Sequence, residues 1–145
     1  MKHFSTLSFL LCSFLWSSAQ NDISLRSDVD PNLAPFYHGV ASGDPLSDRV
    51  VIWTRYTPEA TGDPVTVNWE VATDTGFTNV VQNGNVVTQS DRDWTVKVDV
   101  TSLNPNMWYY YRFETNGDYS LVGRTRTAPV GMVDSLRFAV VSCSD

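Results

Sequence analysis

Short β-branched and aromatic runs, broken by turn residues at roughly ten-residue intervals, recur from Asp48 to Thr127. Val50-Val51-Ile52-Trp53-Thr54 is apolar, with a charge just outside each end. Val65 to Val71 alternates, which predicts Val65, Val67, Trp69 and Val71 on one face. A short piece at Asn79–Gln82 precedes Asn83-Gly84, a turn signal, and Val86-Val87-Thr88 follows. Trp94 to Val100 alternates again, placing Trp94, Val96, Val98 and Val100 inward. Met107–Thr115 and Tyr119–Thr127 flank Asn116-Gly117-Asp118, a hairpin turn. No stretch carries an apolar stripe at the helical period. About seven short strands of this kind predict an all-β sandwich of the immunoglobulin or fibronectin type III kind.

Leu103-Asn104-Pro105-Asn106-Met107-Trp108-Tyr109 sharpens that class. Its Leu-x-Pro-x-x-x-Tyr spacing is that of a corner at which fibronectin-like chains turn between sheets. There a tyrosine hydroxyl bonds to nearby backbone, so Tyr109 is assigned a structural role. Beyond Ala128-Pro129-Val130-Gly131 the character changes. Leu136-Arg137-Phe138-Ala139-Val140-Val141-Ser142 is near-continuously apolar, as in a strand covered on both faces of an α/β core. Four segments result: 1–19, 20–35 (a polar, proline-containing linker), 36–130 (the sandwich) and 131–145 (the opening of a second, truncated α/β domain).

Residues 1–19 read as an export signal. Lys2 and His3 open it, an apolar stretch runs from Phe4 to Trp16, and Ser17-Ser18-Ala19 supplies small residues for cleavage between Ala19 and Gln20. No Arg-Arg pair precedes the apolar stretch, so the general secretory route fits. The expected location is periplasmic or extracellular, with no membrane association after cleavage. With Lys2 set aside, 9 Lys+Arg face 16 Asp+Glu. A surface that acidic repels phosphate backbones, so nucleic acid is not an expected partner. Of the two cysteines, Cys12 lies in the signal, which leaves Cys143 without a disulfide partner.

No catalytic residues are assigned in this chain. His38 is the single histidine after the signal, so it reads as a packing or hydrogen-bonding residue. Ser42-Gly43-Asp44-Pro45 reads as a turn, with Gly43 supplying backbone freedom; Asp44 and Asp48 read as capping and pairing with Arg49 and Arg55. Trp53, Trp69, Trp94 and Trp108 fall at strand positions and read as core. Cys143, beside Ser142, Ser144 and Asp145, reads as a metal ligand, a nucleophile or a small buried residue.

The run Phe36-Tyr37-His38-Gly39-Val40-Ala41-Ser42-Gly43-Asp44-Pro45-Leu46-Ser47-Asp48-Arg49-Val50-Val51-Ile52-Trp53-Thr54-Arg55 resembles the opening signature of the PhoD-like alkaline phosphatases. The corner at Leu103–Tyr109 and the closing run Phe138–Cys143 add to the likeness. The resemblance implies a fibronectin- or immunoglobulin-like sandwich ahead of a metallophosphatase domain, in a parent that hydrolyses phosphate mono- and diesters with Fe(III) and Ca(II). It also implies an iron(III) ligand at Cys143, a role that suits a thiolate donor. The family's further ligands would lie downstream of Asp145. This chain alone is therefore expected to bind neither metal and to be inactive, its sandwich packing on the catalytic domain. Two alternatives stand beside that reading. One is an exported fibronectin-like binding or adhesion module without enzymatic activity. The other is a purple-acid-type phosphatase, whose Gly-Asp ligand pair Ser142-Cys143 does not match.

Overall fold

The computed structural model describes residues 30–59 and 64–135. Eight strands run β1 Val40–Gly43, β2 Val50–Arg55, β3 Val65–Ala72, β4 Val80–Thr88, β5 Thr95–Val100, β6 Trp108–Thr115, β7 Asp118–Tyr119 and β8 Gly123–Arg126. They form two antiparallel sheets. The smaller has the order β1-β2-β5, and the larger runs β4-β3-β6 with β7 and β8 both on the far edge of β6. The only other regular pieces among the described residues are 3-10 turns at Pro31–Leu33 and Ser90–Arg92. The described residues form an all-β sandwich, as the alternation predicts.

Period-two burial builds the core. Val50, Ile52 and Thr54 of β2 and Val96 and Val100 of β5 face Val67 and Val71 of β3 and Tyr109, Tyr111 and Phe113 of β6. Phe36 closes one side, edge-on to Tyr56 with ring centroids 6.4 Å apart. The lead-in before it is ordered by Asp30, whose carboxylate accepts from Asn32 N at 2.9 Å, and by Thr57 N, which donates to Pro35 O at 2.9 Å.

Threonines also face inward, and the hydroxyls of Thr54, Thr88 and Thr115 each find a backbone carbonyl. Thr54 Oγ1 donates to Gly39 O at 2.8 Å, Thr88 Oγ1 to Thr95 O at 2.8 Å, and Thr115 Oγ1 to Thr66 O at 3.0 Å. A buried hydroxyl left unpaired would destabilise the fold, so these bonds make threonine tolerable in an apolar core. The Thr88 bond also fastens the crossing from β4 to β5.

Several sequence expectations change here. Asn83-Gly84 is not a turn, because β4 runs unbroken through it. Gly84 stands opposite Trp69 in the register, and a Cβ on Gly84 would lie 2.8 Å from Trp69 Cζ2. The glycine thus makes room for an indole rather than for a chain reversal. Trp94 precedes β5 in a left-handed conformation (φ 50°), directly after Asp93 (φ 51°). The tryptophans are not all core: Trp53, Trp69 and Trp94 are half-buried, and Trp108 is exposed. Asn116-Gly117 does make a two-residue hairpin, both residues at positive φ (53° and 93°). The strand expected over Tyr119–Thr127 is two pieces, β7 and β8. Between them Ser120 Oγ accepts from Phe113 N at 2.9 Å, and Ser120 N donates to Phe113 O at 2.9 Å.

Candidate docking face

Three loops meet at the end of the sandwich where the chain leaves it. The first follows β1. Asp44 takes the left-handed conformation (φ 48°), whereas Gly43 does not, so the backbone freedom assigned to Gly43 resides one residue later. The loop closes through Leu46 N to Arg49 O at 2.9 Å. Asp48 pairs with Arg49 at 3.2 Å, and Arg49 reaches Asp99 of β5 at 3.4 Å. The Arg49 guanidinium beside Asp48 holds its carboxyl below the usual range.

The second loop is the corner before β6. The Tyr109 hydroxyl accepts from Asn104 N at 2.8 Å while its ring sits in the core. Leu103 is buried and its N–H donates to Asp48 O at 2.9 Å, joining this loop to the first. The third segment, Thr127–Val130, is pinned to both. Ala128 N donates to Leu46 O at 3.0 Å, and Ala128 O accepts from Asn106 N at 3.1 Å. Thr127 N donates to Met107 O at 3.1 Å, and Thr127 Oγ1 to Asn104 O at 2.7 Å.

Around this knot, among polar neighbours, four apolar side chains face water. Leu46 is 56% exposed, Met107 38%, Trp108 47% and Val130 73%. Trp108 carries Arg124 and Arg126 over its ring, at 4.6 and 5.3 Å from the centroid. A backbone held this firmly, presenting side chains that gain nothing from solvent, is suited to contact with another folded surface. It offers no nucleophile and base in mutual reach.

The other sequence candidates lie elsewhere. Trp53 is on the outer side of the smaller sheet, opposite Lys97 and Ala41 in the register. His38 Nε2 is 2.6 Å from Arg55 Nη1. Arg55 in turn grips Asp93 at 2.7 and 3.0 Å and holds that carboxyl below its ordinary range, so Arg55 pairs with Asp93 rather than with Asp44 or Asp48. Among the described residues no group of three His, Cys, Asp or Glu side chains could hold a metal ion. Cys143 and the cleavage pair Ala19 and Gln20 lie outside the described residues. The sequence reading missed the exposure of Leu46, Met107 and Val130, because an isolated apolar residue in a loop carries no periodic signal.

Residues 19–129 match the family model described as PhoD-like phosphatase, N-terminal domain. The chain is 42% identical over 135 residues to alkaline phosphatase D of Bacillus subtilis (strain 168), a match covering 86% of this chain and 23% of that protein. Among solved structures it is similar to PhoD, with 44% identity, a TM-score of 0.64, and coverage of 66% of this chain and 20% of that one. The fibronectin type III domain derived from human KIAA0970 protein superposes with a TM-score of 0.52 at 15% identity, over 77% of this chain and 88% of that domain, a likeness of fold alone.

Proposed function

The chain belongs to the PhoD-like phosphatase family as its N-terminal domain, and we propose that it is the exported leading part of a phosphatase whose sandwich braces the catalytic domain. Residues 1–19 act as the signal, cleaved between Ala19 and Gln20; residues 20–35 lead into the sandwich at 36–130, and the catalytic domain opens over 131–145. The whole protein hydrolyses phosphate mono- and diesters outside the cytoplasm. Fe(III) and Ca(II) would supply the Lewis-acid chemistry, with Cys143 as an iron ligand, and no catalytic step is assigned to the described residues.

The observation that carries the bracing role is the apolar end at Leu46, Met107, Trp108 and Val130, placed where the chain departs toward its remaining residues. The chain spans 23% of the length of the curated relative it matches. The adhesion-module alternative is not favoured by that match. A chromogenic phosphoester with ferric and calcium salts tests the assignment. The 145-residue chain produces no turnover, and a polypeptide continuing through the rest of the family's length does. Turnover by the short chain would overturn the reading.

A further inference from the structure

The outer face of the larger sheet holds a hollow of about 280 Å³, away from the docking end. The register explains how it is built. One row across the sheet runs Asn85, Asn68, Glu114 and Tyr119; the next runs Asn83, Glu70 and Arg112. Asparagine is depleted in strands, and here three of them occupy the middle of two paired strands. Nothing in the packing of the sandwich requires amides at Asn83 and Asn85, both exposed on the outer face on either side of Gly84.

The charged members are already held in place. Arg112 donates to Glu70 at 2.9 and 2.8 Å while its guanidinium lies 4.1 Å from the Phe77 ring and 4.3 Å from the Tyr119 ring. Glu114 accepts from Asn68 Nδ2 and from Gly117 N at 2.6 Å. Two carboxylates against one guanidinium leave the hollow with an excess negative charge, which disfavours phosphates and carboxylates. Exposed amides and anchored carboxylates beside an exposed tyrosine (54%) suit a ligand with several hydroxyls and an apolar C–H face. The volume falls just below the usual range of ligand sites, which run from about 300 Å³ upward, and so suits a ligand of a single ring.

We propose that this hollow is a subsite for an uncharged polyhydroxyl ligand the size of one sugar ring, gripped by Asn83, Asn85 and Glu114 and flanked by Tyr119. It is independent of the phosphatase assignment. The test is titration of the full 145-residue chain, isotope-labelled for NMR, with cellotriose, maltotriose and chitotriose, and with glucose 6-phosphate as the anionic arm. At least one uncharged saccharide shifts the side-chain amides of Asn83 and Asn85 at millimolar concentration. Tyr119→Ala weakens that binding about tenfold, and Asn83→Leu, which leaves the Arg112 clamp intact, weakens it as much. Glucose 6-phosphate binds no more tightly than the uncharged probes. Absence of shifts with every uncharged saccharide, equal binding by Asn83→Leu, or a preference for the anionic sugar would each overturn the proposal.

Discussion

The Tyr111 ring fills the space beside Gly123 that a Cβ would occupy. The two residues are partners in the β6–β8 register, and a Cβ on Gly123 would fall 2.2 Å from Tyr111 Cζ and 2.6 Å from its hydroxyl oxygen. Tyr111 has no room to retreat, because its ring packs edge-on against Phe113 at 6.3 Å within the core. Gly123→Ala therefore lowers stability by about 1–3 kcal/mol, the usual cost of overpacking a filled core. Urea denaturation measures it. Tyr111→Leu in the same background recovers part of the loss, because the smaller side chain vacates the contested space.

Tyr109→Phe removes the acceptor for Asn104 N and leaves that N–H facing a ring edge. The expected loss is about 1–2 kcal/mol, with secondary structure unchanged by circular dichroism. An unchanged denaturation midpoint would show that water replaces the hydroxyl at no cost.

Arg112→Lys keeps the charge but loses the planar group that reaches Glu70 twice and lies over two rings. Lysine is a point donor and stacks poorly, so this conservative change costs about 1 kcal/mol. Glu70→Gln is milder, since both bonds end on the one oxygen Oε2 and an amide oxygen can accept them, so that only the charge is lost.

Acid weakens the fold through carboxylates held below their ordinary range. Asp74 is lowered by the N–H groups of Thr78, Asn79 and Gly76, Asp93 by Arg55, and Glu114 by Asn68 and Gly117 N. A depressed carboxyl contributes its stability in full above the unfolded value, near pH 4, and loses it as pH falls through the lower folded value. Denaturation midpoints should thus change little from these groups between pH 6 and about pH 8 and fall below about pH 4. Asp74→Asn flattens part of that fall. High salt blunts the Asp93 contribution most, because its partner is a charge at the surface.

Trp108→Asp and Leu46→Asp test the docking face. In the short chain Leu46→Asp alters stability by no more than about 0.5 kcal/mol, and Trp108→Asp costs about 1 kcal/mol through the loss of Arg124 and Arg126 over its ring. In a polypeptide carrying the catalytic domain they lower the thermal midpoint and expose the segment that follows Val130 to protease. Equal effects in both contexts would remove the docking role.

Much of this architecture is legible in the residues. The alternation of Val65–Val71 and of Val96–Val100, the Asn116-Gly117 turn and the Leu103–Tyr109 corner are local patterns, and each forms. What escaped depends on partners distant in sequence. Gly84 looks like a turn until Trp69 is laid across it. The exposure of Trp108 follows from parity once Tyr109 is known to point inward, but composition alone assigns an indole to the core. Asn68, Asn83 and Asn85 converge only after β3, β4 and β6 pair. The proposed iron ligand Cys143 rests on family likeness and on no contact among the described residues.

Ala128 is bonded to Leu46 on one side and to Asn106 on the other, so its peptide is tied to the β1–β2 loop and to the β5–β6 corner together. A pull applied beyond Val130 is shared between the two sheets instead of peeling β8 away from β6. Residues 129–135 begin from that anchored stem.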